Sequence, residues 1–250
     1  MTFDLAFFAL AVPAVILAGI SKGGFGSGAS FIATPILAIV LPPELAVGIL
    51  LPLLMLMDVG GLKAYWGKWV KLDATRLIIG SLPGVALAAM IWTVANPNLL
   101  RFFIGLIAVG FVAFQLARAR GWLAPAKTPA GKTAGLIAGA TAGFTSFISH
   151  AGGPPATIYL LSRNLSKTEY QATTVLVFWA INIAKAVLYA FLDIFTAQSL
   201  LAGFYLAPAA LLGTWLGVRA HNAMPENAYF LATYALLTIT GFKLIFDAVT

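Results

Sequence analysis

Residues 19–35 read GISKGGFGSGASFIATP, and residues 143–155 read GFTSFISHAGGPP. Each stretch interrupts a long apolar segment, Leu5–Val40 in the first case and Ala134–Leu161 in the second. A run of glycines weakens a helix, and a Pro-Pro pair removes two backbone N–H groups that a helix interior needs. Both segments are therefore predicted to be broken helices.

The composition around these stretches is that of an integral membrane protein. Apolar residues make up 61% of the 250 residues and charged residues only 9%, with a mean hydropathy of +0.96. Soluble domains have about 25% charged residues, so too little polar surface would remain here to cover a soluble fold. The chain has no cysteine, which excludes disulfides, thiolate catalysis and cysteine-bound metals.

The net charge of +7 does not indicate a nucleic-acid-binding surface. Most of the fifteen Lys and Arg residues lie in the short gaps between apolar runs. Orientation signals and lipid-headgroup contacts of membrane proteins are distributed in this way. We therefore expect the lipid bilayer as a partner and no nucleic acid.

Six further apolar runs are long enough to cross the hydrocarbon of a bilayer, which takes about 20 residues. Turn residues such as proline and asparagine separate them, for example at Leu41–Glu44, Asn96–Asn98 and Asn222–Pro225. With the two broken segments they make eight helical blocks, so the predicted fold is an all-α integral membrane protein. The six runs are Leu45–Leu62, Leu77–Val94, Leu99–Ala117, Thr173–Leu192, Leu200–Val218 and Ala228–Phe246.

Several landmarks recur in the two halves of the chain, at separations of 122 to 129 residues. A nearly constant separation predicts two related repeats of four blocks each, residues 1–120 and 134–250. A polar, cytoplasmic linker at residues 121–133 joins them. The alternative is coincidence among common residues. The recurring pairs are Gly23 and Gly152, Lys63 and Lys185, Pro83 and Pro208, and Pro97 and Pro225.

Positive charge indicates how the two halves are oriented. Basic residues follow the second and fourth blocks, so both of these gaps should be cytoplasmic. If each broken block crosses the membrane once, Arg163, Lys167 and Arg219 fall outside the cell. If each broken block enters and returns to the same side, those three residues become cytoplasmic and the second repeat is inverted. We favour this re-entrant arrangement, which is typical of secondary transporters and leaves both chain termini outside.

The two breaks are predicted to form an anion-binding site. Lipid satisfies no backbone polar groups, so a break must face protein, water or a ligand. A half-helix that starts after the glycines directs its N–H groups and the positive end of its dipole at an anion. Ser27 or Ser30 is expected to cap the first half-helix, and Pro154-Pro155 to begin the second. The predicted substrate-binding residues are Lys22, Gly23, Gly24, Gly26, Ser27, Gly28, Ser30, Thr34, Ser149, His150, Gly152, Gly153 and Thr157.

Simpler roles stay open for several of these residues. Glycines also let membrane helices pack closely, although Gly24 and Gly153 are expected to need a positive φ. Lys22 either faces the site or extends to the membrane interface. His150 either binds the anion, carries a proton or serves only packing.

Three polar residues within apolar spans are predicted to line the transport pathway or to couple ions to it. They are Asp58, Asn182 and Lys185, and Lys185 alternatively pairs with Asp193. Motifs of enzymes are missing from the sequence, including HExxH, GxSxG and the P-loop. Two histidines without cysteine make a poor metal site. We therefore expect neither an enzyme nor a cofactor.

At its two glycine-rich breaks the sequence resembles the TauE/SafE family of sulfite and sulfonate exporters. The resemblance rests on the two quoted stretches within two four-block halves, and it covers nearly the whole chain. It implies transport of small sulfur-containing anions such as sulfite, sulfoacetate or related organosulfonates. The second stretch departs from the family pattern, because many members have more glycine where this chain has His150-Ala151.

The combined expectation is a secondary transporter of the bacterial cytoplasmic (inner) membrane that works by alternating access and exports its substrate. An anion channel and a transporter of another small organic anion remain the alternatives. Coupling to a proton or another ion, and assembly into a homodimer, also stay open.

Overall fold

The computed structural model describes residues 4–25, 27–122, 130–220 and 226–250, and the regular elements within these ranges are all helices. The first broken block contains two α-helices with a π-helical turn (Ser21–Phe25) and a 3₁₀ turn (Ser27–Ile32) between them. The second contains two α-helices joined at residues 150–152. In chain order the α-helices are α1 (Leu5–Ile20), α2 (Ala33–Val40), α3 (Pro43–Ala64), α4 (Lys71–Val94), α5 (Pro97–Ala119), α6 (Lys132–Ser149), α7 (Gly153–Leu161), α8 (Lys167–Phe191), α9 (Ala197–Ala220) and α10 (Glu226–Val249).

The helices confirm an integral membrane protein. Seven of the described helices are long and apolar enough to cross a membrane. They comprise the first broken helix, Leu5–Gly24, together with α3, α4, α5, α8, α9 and α10, which coincide with the six predicted runs. Large apolar side chains such as Met90, Phe204 and Leu231 are exposed on the outer faces of these helices. Such a surface suits lipid rather than water.

Local sequence signals explain where the long helices begin. The Asn96 side chain accepts a hydrogen bond from the Leu99 backbone N–H at 2.7 Å, and Pro97 occupies the first helical position of α5. Ser166 and Glu169 form a capping box at the start of α8. The predicted turn at Asn222–Pro225 and residues 123–129 of the predicted linker lie outside the described residues.

Two pairs of helices pack with their backbones in contact. In the first pair, Gly80 and Gly84 of α4 lie against Leu136 and Ala140 of α6. A Cβ atom at Gly84 would overlap the Ala140 carbonyl. Residue numbers rise together along both helices, so α4 and α6 run parallel.

The second pair is α1 and α9, and it is built in the same way. Gly213 of α9 lies against Ile16, and Gly217 lies against Ile20 and Gly24. These helices also run parallel. The two pairs are reciprocal, because each joins the first long helix of one half to the third long helix of the other half. Close contact between glycine-bearing faces is a common way for membrane helices to associate, because van der Waals packing replaces the missing hydrophobic drive.

The central helices are α3 and α8, which run antiparallel. Asn182 contacts Asp58, and one to two turns away Val175 of α8 lies against Gly61 of α3. The start of α3 lies near the start of α9, where Ile49 meets Gly203. Near the other end of α3, Asp58 meets Lys22 of the π-helical turn that follows α1. Because α9 is parallel to α1, α1 and α3 run in the same direction.

The same geometry holds in the second half of the chain. The start of α8 lies beside the start of α4, where the Val70 N–H donates to the Thr173 hydroxyl at 3.0 Å. The ends of both helices meet where Trp92 stacks on Tyr189. Thus α8 runs parallel to α4, and therefore to α6. In both halves the short second helix returns the chain to the side from which the first helix came.

The close contact of α4 with α6 generates a prediction about stability. Gly84→Ala should destabilise the protein by about 1–3 kcal/mol, because the new methyl group forces two backbones apart. Gly110→Ala in α5 is the matched control, since a Cβ there meets nothing within 4 Å. Alanine in a helix is better than glycine by about 1 kcal/mol, so this control should be neutral or stabilised. Thermal unfolding in detergent measures both, and equal melting temperatures would contradict the packing described here.

Candidate functional site

The first break differs from its prediction in two respects. The N-cap residue of α2 is Ile32, and no side chain caps this position, so α2 does not begin at a serine cap as predicted. The chain instead remains helical through the π and 3₁₀ turns. Positive φ among the described glycines occurs at Gly67 and Gly121, so the expectation of a positive φ at Gly24 is wrong. Glycine is needed at Gly24 because a Cβ would overlap the Gly217 carbonyl.

The second break is a true interruption. His150 ends α6 in the left-handed conformation, with φ of 59°, and its backbone N–H donates to the Ser146 carbonyl at 2.9 Å. A non-glycine residue in this region is uncommon, and such positions cluster at functional sites. Pro154 and Pro155 occupy the first turn of α7, as predicted. Both lack an N–H, so Gly153 alone has an N–H within the first three positions of α7. The expectation of a positive φ at Gly153 is wrong.

A chain of hydrogen bonds begins at the first break and passes through the central helices. The Lys22 ammonium lies 2.9 Å from the Asp58 carboxylate and donates to the Leu54 carbonyl at 3.0 Å. The other oxygen of Asp58 accepts from the Asn182 amide at 2.8 Å. Asp58 and Asn182 are almost fully buried, so this ion pair lies in the protein interior.

Lys185 continues this chain to the second break. Its ammonium lies 3.1 Å from the Ser146 hydroxyl, 2.7 Å from Nδ1 of His150 and 3.4 Å from the Asn182 carbonyl oxygen. These three contacts match the three N–H donors that an ammonium group has. The predicted alternative, a pair with Asp193, is therefore wrong. Sequence could not show that Lys185 faces the centre of the protein, where it is fully buried.

His150 has a polar contact at each ring nitrogen. Its Nε2 lies 3.1 Å from the Val47 carbonyl, which only accepts, so this nitrogen carries a proton. Its Nδ1 lies 2.7 Å from the Lys185 side-chain nitrogen, and it accepts a hydrogen bond when Lys185 is an ammonium. Beside an ammonium His150 is therefore the neutral tautomer with its proton on Nε2.

The buried cluster has more basic than acidic side chains. With both lysines and Asp58 ionised and His150 neutral, its net charge is +1. Asp58 is already paired with Lys22, and no carboxylate among the described residues lies within 4.0 Å of Lys185. An uncompensated charge in such a place costs several kcal/mol, so a bound anion would stabilise the cluster.

A small cavity lies where the two breaks approach each other. Its volume is about 10 Å³, which is space for roughly one water molecule. Sulfite has four heavy atoms, so the surrounding segments must separate before an anion of that size enters. The cavity is lined by Lys22, Ser30, Leu54, Ser146, His150, Gly153, Phe178 and Asn182.

Comparison with known proteins assigns the family. The family model described as sulfite exporter TauE/SafE matches residues 11–244. The chain belongs to this family. No curated protein and no solved structure matches it. TauE/SafE proteins are transporters that export sulfur-containing anions. This agrees with a membrane protein that has buried basic side chains beside a cavity, and with the expectation that it is not an enzyme.

In this TauE/SafE protein aromatic rings lie close to the cavity. Toward the end of α8, Trp92, Phe147 and Tyr189 pack ring to ring, with centroid distances of 5.0 to 6.4 Å. The Tyr189 ring lies 6.4 Å from that of His150. Toward the start of α8, Phe178 lines both this cavity and a second small cavity of about 10 Å³. The second cavity is lined by Lys22, Asp58, Gln171, Thr174, Val175 and Phe178.

The structure brings some of the predicted site residues together and leaves others apart. Around the main cavity it gathers Lys22, Ser30, His150, Gly153 and Asn182, and hydrogen bonds connect Asp58 and Lys185 to them. The predicted residues that do not line the cavity have other contacts. Gly23 and Gly24 pack on α9, and Gly152 packs on Phe178. The Ser149 hydroxyl bonds within α6, the Thr157 hydroxyl bonds to Tyr170, and Thr34 is buried without a hydrogen-bond partner. The backbone of Ser27 and Gly28 belongs to the 3₁₀ turn, and Gly26 lies outside the described residues.

Sequence reasoning missed three residues of the cavity wall, namely Leu54, Ser146 and Phe178. Ser146 lies one helical turn before His150 on the same helix face, and this spacing could have indicated it. Leu54 and Phe178 carry no signal in an apolar sequence with 18 phenylalanines. A fourth omission lies elsewhere: buried Asp73 holds the outer end of α7 to α4, through Tyr159 at 2.6 Å and Arg163 at 3.0 Å.

Proposed function

We propose that the protein exports a small sulfur-containing anion, such as sulfite, sulfoacetate or another organosulfonate, across the bacterial cytoplasmic membrane. The anion occupies the cavity between the two breaks. One observation carries this proposal: Lys185 is fully buried, and no carboxylate among the described residues lies within 4.0 Å of it. Family membership supplies the class of substrate.

The physical argument concerns the cost of a buried charge. A buried ammonium with hydrogen bonds but no counter-ion destabilises the fold, and replacing such a group with an apolar one is commonly neutral or stabilising. An intramembrane lysine of this kind therefore indicates a functional role. A sulfur oxyanion supplies the missing charge and offers several acceptor oxygens. The donors at or next to the cavity include the ammonium groups of Lys22 and Lys185. They also include the Ser30 and Ser146 hydroxyls and the Gly153 N–H.

Alternating access is the proposed mechanism, with residues 1–120 and 134–250 as inverted repeats. The opposite directions of α3 and α8 and the reciprocal parallel pairs α1–α9 and α4–α6 support this arrangement. Backbone contact makes each pair suited to move as a unit. The present cavity has room for about one water molecule, so movement of one pair relative to the other would open it to one face of the membrane at a time.

Flux in proteoliposomes tests the function. We expect saturable sulfite flux in the parent protein and at least about a tenfold loss in Lys185→Met, which keeps the apolar stem but removes the charge. The matched control is Lys243→Met, since Lys243 is exposed and paired with Asp247. This variant should transport like the parent. Parental flux in a folded Lys185→Met protein would remove the main support for the site, and flux that rises linearly without saturation would indicate a channel.

The inverted arrangement also predicts where the chain ends. Both termini should be extracytoplasmic, because α1 and α10 then begin and end on the side opposite the basic gaps. A reporter that is active only outside the cytoplasm should be active when fused after Thr250. The same reporter inserted in the linker at Gly121 should be inactive. Activity in the opposite pattern would exclude this topology while leaving the transport function open.

A further inference from the structure

The charge of the site is set by a small number of groups. The helices and turns around the cavity contribute four buried ionisable side chains in the described part of the chain: Lys22 from the first break, His150 from the second, Asp58 from α3 and Lys185 from α8. The other polar groups at the cavity are neutral. They are the hydroxyls of Ser30 and Ser146 and the amide of Asn182. With both lysines and Asp58 ionised and His150 neutral, these side chains give the site a net charge of +1.

A net charge of +1 distinguishes anions by their own charge. In a region of low dielectric constant the free energy of a charge cluster is lowest when its total charge is near zero. One monoanion brings the cluster to zero. A dianion would leave one negative charge buried and uncompensated, at a cost that no neutral donor fully offsets.

We propose that this site selects singly charged sulfur anions and that Asp58 is the residue that sets this limit. The inference rests on the proposed function and adds the charge class of the substrate. The accepted class comprises hydrogen sulfite and simple alkanesulfonates. The disfavoured class comprises anions with two charges, namely the sulfite dianion, sulfate and sulfoacetate, which carries both a sulfonate and a carboxylate. The inference therefore narrows the proposed substrates by removing sulfoacetate. Without Asp58 the cluster would have a net charge of +2 and would favour the second class.

The position of Asn182 makes this proposal testable without a change of shape. Asn182 and Asp58 have side chains of nearly equal size and are hydrogen-bonded to each other at 2.8 Å on adjacent antiparallel helices. Asp58→Asn raises the net charge of the cluster to +2. Asn182→Asp lowers it to zero, and the double exchange Asp58→Asn/Asn182→Asp returns it to +1 with the negative charge displaced by one side chain.

The experiment measures inhibition of sulfite flux in proteoliposomes at neutral pH by methanesulfonate and by sulfate. These two probes have similar tetrahedral shapes and fixed charges, one and two respectively. In the parent protein methanesulfonate should inhibit at least about tenfold more strongly than sulfate. Asp58→Asn should shift this ratio at least about tenfold toward sulfate, Asn182→Asp should weaken inhibition by both probes, and the double exchange should restore the parental ratio.

The outcomes separate this inference from the proposed function. If the parent protein transports no sulfite, the proposed function fails. If sulfite is transported but sulfate inhibits as well as methanesulfonate, or neither probe inhibits, only the charge limit is overturned. The charge limit is also overturned if the Asp58→Asn variant elutes as a folded protein and keeps the parental ratio of inhibition by the two probes. If Asp58→Asn does not fold, the parental ratio and the double exchange still decide the matter.

Discussion

The structure depends on the contact between the Lys185 ammonium and its three acceptors in the membrane interior. Ser146 and His150 bring the end of α6 to this ammonium, and Asn182 connects it to Asp58 and Lys22. The two breaks are thereby joined through α3 and α8. Hydrogen bonds match the donors of a Lys185 ammonium, but no carboxylate among the described residues lies within 4.0 Å of it, so a bound anion would balance its charge.

The helix packing makes this arrangement possible. Backbone contacts at Gly84 and Gly217 hold α4 against α6 and α1 against α9, so the two broken helices extend deep into the protein from opposite directions. The returning segments α2 and α7 then lie beside α3 and α8 instead of continuing across the membrane. Irregular backbone such as that at His150 is tolerated at this depth because protein, and not lipid, surrounds it.

Much of this organisation was readable from the sequence, because membrane spans, glycine breaks and proline turns follow from local composition. Lys22 and His150 were identified for the same reason: an ionisable residue inside an apolar break is costly. Sequence could not predict that Gly24 serves close packing instead of a positive φ, because both requirements select glycine. It also could not show which way Lys185 faces, since the apolar residues around it form no amphipathic pattern that distinguishes the interior from the lipid side.

The binding of an anion to the buried positive charge is the central claim, and ligand-dependent stability tests it most directly. A ligand that binds the folded state at 100 times its dissociation constant stabilises it by about 2.7 kcal/mol. The melting temperature of the purified protein should therefore rise and saturate as sulfite is added at constant ionic strength, with chloride as the reference salt. Lys185→Met should melt at the parental temperature or above it without sulfite and should show no such rise. A parent protein whose melting temperature ignores sulfite, or a variant stabilised by sulfite to the same extent, would contradict the account.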